Sequence, residues 1–229
     1  MMREFELDAR LVLCADFVRE GRVLADVGTD HGYLPIRLLL DQRIPSAFAA
    51  DIRPGPLSAA KENARRFGVA EKITFCLCDG LTGIPKNAAC DVTIAGMGGE
   101  MILKILHDSP WACGEGMRLI LQPMTMVPKL RRGLCELGMA ITAEKAVMAA
   151  NRVYTVICAE KAKEPVVCTP LWEQMGALSP EYEETRLYAE RITAGLLARS
   201  NGCLHEGKTE EARQLKNLAD EIIRRYAAV

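Results

Sequence analysis

Leu24 to Pro35 reads L-A-D-V-G-T-D-H-G-Y-L-P, and no other stretch restricts the fold of this chain as much. Val23, Leu24, Ala25 and Val27 form an apolar run of buried-strand length, and Leu34 to Leu40 has the length and spacing of a helix. Only a sharp turn joins two such elements so closely. Gly28 and Gly32 supply it, because glycine reaches positive φ without steric cost and lets a ligand approach the main chain. Strand, tight turn and helix open a βα unit, which is where open α/β sheets bind nucleotide-like ligands. The glycine spacing is G-x-x-x-G. It matches neither the G-x-G-x-x-G of dinucleotide folds nor the phosphate loop G-x-x-x-x-G-K-[ST].

The rest of the chain continues the alternation. A helix with apolar positions from Leu7 to Val18, stopped by Gly21, precedes the turn and should pack on the sheet. Ile44 to Asp51 is a strand ending in a carboxylate about 20 residues after Gly32, where such folds place an acid on a ribose diol. A helix from Pro54 to Phe67, a strand from Ile73 to Leu77, and the turn Cys78, Asp79, Gly80 follow. Asp91 to Ala95 is a strand running into Gly96, Met97, Gly98 and Gly99, a glycine density that points to backbone passing close to a ligand. Ile102 to Leu106 is helical, Arg118 to Gln122 a strand closed by Gln-Pro, and Val127 to Leu137 a helix. Met139 to Met148 and Val153 to Glu160 make an edge hairpin. Seven strands with interleaved helices give a doubly wound α/β sheet, with the marked residues at the carboxyl ends of its strands.

Beyond Glu160 the pattern changes. Lys161 to Pro170 reads as a linker, with charge, two prolines and no period. Ser179 as N-cap and Pro180 in the first turn start a helix whose stripe of Leu187, Ile192, Leu196 and Leu197 ends near Asn201 and Gly202. Thr209 caps a second helix. The two should form an antiparallel, coiled-coil-like hairpin, each arm about 30 Å long. This divides the chain into residues 1–163 and 164–229.

Composition narrows the class further. A chain of 229 residues, 49% hydrophobic, fits one domain with an appendage. The N-terminus lacks an apolar core of signal-peptide type, and no run reaches the roughly 20 apolar residues of a membrane span, so a cytoplasmic location is expected. Nine cysteines are mostly scattered singly; Cys76 and Cys78 lie too far apart on a strand for an unstrained disulfide. His107 and His205 have no neighbouring ligand types, and no metal-site spacing or G-x-S-x-G nucleophile occurs. A net charge of −1 gives no sign of nucleic-acid binding by itself.

The turn is similar to the first motif of class I S-adenosylmethionine-dependent methyltransferases, acid-x-Gly-x-Gly-x-Gly, with Asp30 where the middle glycine usually sits. D-V-G-T-D-H-G-Y-L-P, together with A-G-M-G-G at Ala95 to Gly99 and L-Q-P at Leu121 to Pro123, resembles the bacterial tRNA (adenine-22-N1)-methyltransferase family. The resemblance covers roughly Leu7 to Glu160 by motif, and the C-terminal helices by architecture alone. It implies a Rossmann-like methyltransferase sheet, S-adenosyl-L-methionine as cofactor, tRNA as partner, and a monomer or weak homodimer. It also implies that Asp26, Gly28 and Gly32 hold the cofactor in the turn, that Asp51 with Ile52 takes its ribose, and that Asp79 with Gly80 takes its adenine amino group. Ala95, Gly96, Met97 and Gly98 complete that set. His31, Tyr33, Gly99, Gln122, Pro123 and Arg152 are the substrate-side candidates, and Asp30 is the catalytic one.

Plainer roles compete for several of these residues. Asp51 caps a helix, Asp79-Gly80 makes a turn, His31 bonds its own backbone, and Asp30 bonds amides of its loop. At the level of function, an NAD-dependent oxidoreductase, a methyltransferase for another RNA or a small molecule, and a non-catalytic module built on the hairpin are the rivals. The hairpin's basic residues, Arg186, Arg191, Arg199, Lys208, Arg213, Lys216, Arg224 and Arg225, are candidates for phosphate contact. Enzymes that methylate exocyclic amines resemble one another in carrying Asp or Asn, then Pro-Pro and an aromatic, at the strand end occupied here by Ala95 to Gly98. Their absence favours a ring nitrogen such as N1, which already presents a lone pair.

Overall fold

β1 (Leu24–Val27) is buried at all four positions and lies in the middle of a sheet that both faces of the molecule cover. The structure is a computed structural model describing residues 5–226. Residues 1–4 and 227–229, the outermost positions of the two expected segments, lie outside the described residues. β2 (Ala47–Asp51), β3 (Ile73–Leu77), β4 (Asp91–Gly98), β5 (Arg118–Thr125), β6 (Met139–Ala149) and β7 (Arg152–Lys161) join β1 in the order β3-β2-β1-β4-β5-β7-β6. The first five strands are parallel, and β7 enters antiparallel between β5 and β6. The strand order reverses between β1 and β4. That crevice, at the carboxyl ends, is where such sheets receive ligands.

Period-two alternation divides the strand residues between two cores. Ala25, Val27, Leu119 and Leu121 face α4 (Gly99–Asp108) and α5 (Val127–Glu136). Leu24, Ile120 and Val156 face α1 (Ala9–Phe17), α2 (Tyr33–Leu40) and α3 (Pro54–Arg66). Asp8 caps α1 by accepting from the amides of Arg10 and Leu11, and the helix ends at Phe17 with Val18 as its C-cap, short of the expected Gly21. Gly21 belongs to the following turn.

Three further expectations are corrected. β4 does not stop at Ala95 but runs to Gly98, because β5 itself continues to Thr125 and pairs with it across bulges at Ala95/Met97 and Met97/Gly98. The stretch read as a linker carries no helix or strand from 162 to 169, but directly after it stands an unforeseen short helix, α6 (Pro170–Met175), whose N-cap Thr169 accepts from the Trp172 amide. Ser179 and Pro180 form a turn in which the Ser179 hydroxyl accepts from the Glu181 amide. The long helix, α7 (Glu183–His205), therefore starts later and carries Gly195 and Gly202 in its interior; α8 (Thr209–Tyr226) returns along it.

Burial crosses the boundary at residue 163. Arg131 of α5 and Glu144 of β6 are both fully buried and joined at 2.6 Å. Arg131 also donates to the carbonyls of Glu173 and Gln174, while Glu144 Oε2 accepts from the Ala177 amide at 3.1 Å. The Tyr188 ring of α7 lies 5.6 Å from the guanidinium. Burial works against the arginine's charge, yet Glu144 more than offsets it and holds the group protonated. α6, the turn after it and Tyr188 of α7 thus cover a buried ion pair that belongs to the sheet side of that boundary.

Candidate active site

Two adjoining clefts open at the carboxyl ends of β1, β2 and β4. The first, about 450 Å³, is lined by Gly28, Asp30, Asp51, Ile52, Arg53, Cys78, Asp79, Gly80, Ala95, Gly96, Met97, Met101 and Ile105. The second, about 320 Å³, is lined by Asp8, Arg10, Asp26, Gly28, Thr29, Asp30, His31, Tyr33, Ala95, Gly96 and Gln122. Gly28, Asp30, Ala95 and Gly96 belong to both, so the clefts form one elongated site. A larger cavity, about 1330 Å³, lies between α6 and α8 and touches none of these residues.

Polar groups follow one another along that site. At one end Asp79 is half exposed, with Lys104 Nζ 3.5 Å from its carboxylate, and Gly80 takes φ +58°. A side chain at Gly80 would meet Ile105 at 3.0 Å. Next comes Asp51, 6% exposed, whose Oδ1 accepts from the Arg53 amide at 2.8 Å. At the turn, the Gly28 and Thr29 amides both donate to the Ala50 carbonyl, fixing the loop to β2. Asp26 lies buried beyond it and accepts from the Thr29 hydroxyl at 2.6 Å. Burial pushes its carboxyl up to about 6, the Thr29 bond opposing this and the Asp51 charge adding to it. Arg10 closes the far end, held by Asp8 at 2.7 Å and Gln122 at 3.2 Å.

Asp30 is the one acid shared by the two clefts. It takes φ +48°, the left-handed conformation a glycine adopts freely, and its side chain is 63% exposed. His31 Nε2 stands 3.7 Å from its carboxylate, and the His31 ring stacks on Tyr33 at 5.3 Å.

The remaining candidates separate into lining and support. Gln122 lines the second cleft, but its carbonyl oxygen accepts from the Gly96 amide at 3.1 Å and from Arg10, so it orders the bulge. Gly98 and Gly99 line neither cleft. A side chain at Gly99 would approach the Met126 carbonyl to 2.6 Å, so that glycine lets α4 pack against the β5–α5 turn. Pro123 is buried in β5 beside Met97. Arg152 is exposed at the β6–β7 turn and lines neither cleft. Arg10, Arg53 and Met101 were not anticipated, since each reaches the site through folding and none stands in a glycine-rich motif; Thr29 stands in the turn motif but was not singled out.

The site fits S-adenosylmethionine on its own chemistry. An adenosine needs an acceptor for its amino group and one for its diol, which Asp79 and Asp51 offer in that order. An α-amino acid end carries an ammonium and a carboxylate, and the second cleft offers Asp26 and Arg10. Ligand clefts commonly span about 300–1,000 Å³, the range of these two.

A family model described as a methyltransferase domain matches residues 7–157. The tRNA (adenine(22)-N(1))-methyltransferase of Bacillus subtilis (strain 168) is 30% identical over 222 residues, covering 96% of this chain and 87% of that protein. The crystal structure of the B. subtilis M1A22 tRNA methyltransferase TrmK superposes with a TM-score of 0.85 at 26% identity, over 96% of this chain and 100% of that one. M. capricolum TrmK, solved in complex with the cofactor product S-adenosyl-homocysteine, gives 0.79 at 25% identity, over 95% and 98%. The match extends through the C-terminal helices as well as the sheet, and the chain belongs to the tRNA (adenine(22)-N(1))-methyltransferase family of methyltransferases.

Proposed function

We propose that this chain transfers a methyl group from S-adenosyl-L-methionine to N1 of adenine 22 in tRNA. The observation that carries the reading is the place of Asp30, whose carboxylate stands where the two clefts meet. The cofactor, when bound, supplies an electrophilic methyl group on a sulfonium centre. Asp51 and Asp79 would hold the nucleoside end and Asp26 with Arg10 the amino-acid end, with Gly28, Gly96 and Asp30 lining the part of the site that the two clefts share. The acceptor nitrogen attacks with its in-plane lone pair, so orientation matters more than prior deprotonation. Attack leaves positive charge on the base. Asp30 stabilises that charge, as a fixed opposite charge beside a reacting centre does.

The strand end that shares a cleft with Asp30 agrees with a ring nitrogen. Gly96 and Met97 offer no side-chain acceptor for the protons of an exocyclic amine. The relatives' activity and the complex with the demethylated cofactor support the substrate and the cofactor. No helix among the described residues is long and apolar enough to cross a membrane.

Asp30→Asn tests the role of the carboxylate. Turnover of labelled methyl groups into tRNA should fall roughly 10²-fold while cofactor affinity holds. Full activity in that variant would remove Asp30 from the chemistry.

A further inference from the structure

A tRNA must be held by more than the cleft that receives one of its bases, and its phosphates call for cations. The C-terminal hairpin is poorly equipped for this. Its eight Lys and Arg from 183 to 226 are matched by eight carboxylates in the same span. Four of them are already paired along the helix surface: Lys208 with Glu206, Arg213 with Glu210, Lys216 with Asp220 and Arg225 with Glu221.

The outer side of α3 differs. Residues 53–72 carry five cations against two carboxylates. Lys61, Arg65 and Arg66 are exposed, and none is paired with a carboxylate among the described residues. The Asn63 side chain donates to the His31 carbonyl at 3.0 Å, which fastens this part of α3 to the loop carrying Asp30. A row of rings runs from that loop back to the helix end. His31 stacks on Tyr33 at 18° between planes, Tyr33 stacks on Phe5 at 5.0 Å, and Phe5 meets Phe67 edge-on at 4.8 Å. Its outer member, the half-exposed His31 ring, is next to Asp30. Arg66 lies 5.7 Å over the ring at the other end.

We infer that this face is where the tRNA docks, with Lys61, Arg65 and Arg66 against the phosphates flanking the target and the His31 ring stacked under a neighbouring base. The inference rests on the proposed reaction and adds the surface that presents the substrate to it. Three features fit a polynucleotide. The charge has no carboxylate partner, it sits on the helix that Asn63 fastens to the Asp30 loop, and that loop carries a half-exposed ring; cationic tracks with aromatic platforms are how unpaired nucleotides are held without sequence readout. In a chain of net charge −1, a concentration of unpaired cations on the helix that Asn63 fastens to the Asp30 loop marks that part of the surface for a polyanion.

Binding of unmodified tRNA by the full chain, measured over a series of salt concentrations, decides the matter. Lys61→Gln/Arg65→Gln/Arg66→Gln should bind tRNA at least about tenfold more weakly and flatten the slope of log affinity against log salt by about 2, since each phosphate contact contributes about 0.7–0.9. Cofactor affinity should not move. The competing arm, Arg213→Gln/Lys216→Gln/Arg225→Gln, should bind as the wild type does. His31→Leu should lower kcat/KM for tRNA, and His31→Phe should restore it. Wild-type affinity and slope in the α3 variant, or a loss confined to the hairpin variant, would overturn the assignment. Because binding is read directly, a wild-type chain that binds tRNA yet leaves adenine 22 unmethylated removes the parent reading, while the α3 comparison still judges the surface.

Discussion

Asp26 is a buried acid whose charge the fold tolerates rather than welcomes, and replacing it with asparagine should stabilise the cofactor-free protein. Its carboxyl is raised from 3.8 to about 6, mainly by burial. A shift of about two units corresponds to about 3 kcal/mol at 1.36 kcal/mol per unit. The native state therefore binds this proton more tightly than the unfolded chain. Stability contributed by the group is full at low pH, declines as pH rises through about 4 to 6, and stays low above that window. Asparagine carries no charge and still accepts from the Thr29 hydroxyl. Asp26→Asn should accordingly gain about 3 kcal/mol at pH 8 and only about half of that at pH 5, where most of the native carboxyl is already protonated. Urea unfolding of wild type and variant at both pH values measures the difference. A gain that is flat with pH, or a variant less stable at pH 8, would refute the burial argument. The same substitution should weaken the cofactor at pH 8, because the ammonium loses its carboxylate.

Two other outcomes follow from single contacts. Asp51→Ala removes the buried acceptor of the ribose diol, at about 1.5–3 kcal/mol per charged hydrogen bond, so calorimetry should show S-adenosylmethionine binding at least roughly tenfold more weakly, and unchanged affinity in a folded variant would take Asp51 out of the site. Glu144→Ala leaves Arg131 buried without its partner and should lower unfolding stability by about 3–5 kcal/mol, while truncation at residue 163, which uncovers the same pair, should yield a chain that does not refold as a stable sheet.

The parts of this molecule that sequence made legible are those written locally. β3 begins and ends where expected because Gly68 and Gly80 bracket it, and the acids Asp26, Asp51 and Asp79 stand within β1, at the end of β2 and two residues past β3. Asp30 stands in a glycine's place, and its backbone takes the left-handed conformation that a glycine adopts freely. What could not be read depends on distance along the chain. Arg10 and Gln122 meet across 112 positions, and no local pattern foretells that a glutamine read as a substrate contact fixes the Gly96 amide instead. Gly99 looked like close approach to a ligand, whereas the approach is to the Met126 carbonyl. α6 spans six residues, too few for a helical period to show. The change in composition at residue 163 concealed the Arg131–Glu144 pair, because both of its members precede the boundary and most of its cover follows it.

The central claim is a product at a defined atom and position. Transcribed tRNA carrying no modification should be incubated with the full chain and S-adenosyl-L-methionine, digested, and its methylated nucleosides identified and mapped by mass. The account predicts 1-methyladenosine at adenine 22, absent when that base is replaced by guanine. N6-methyladenosine at that position, or methylation that persists in the replaced tRNA, would contradict it.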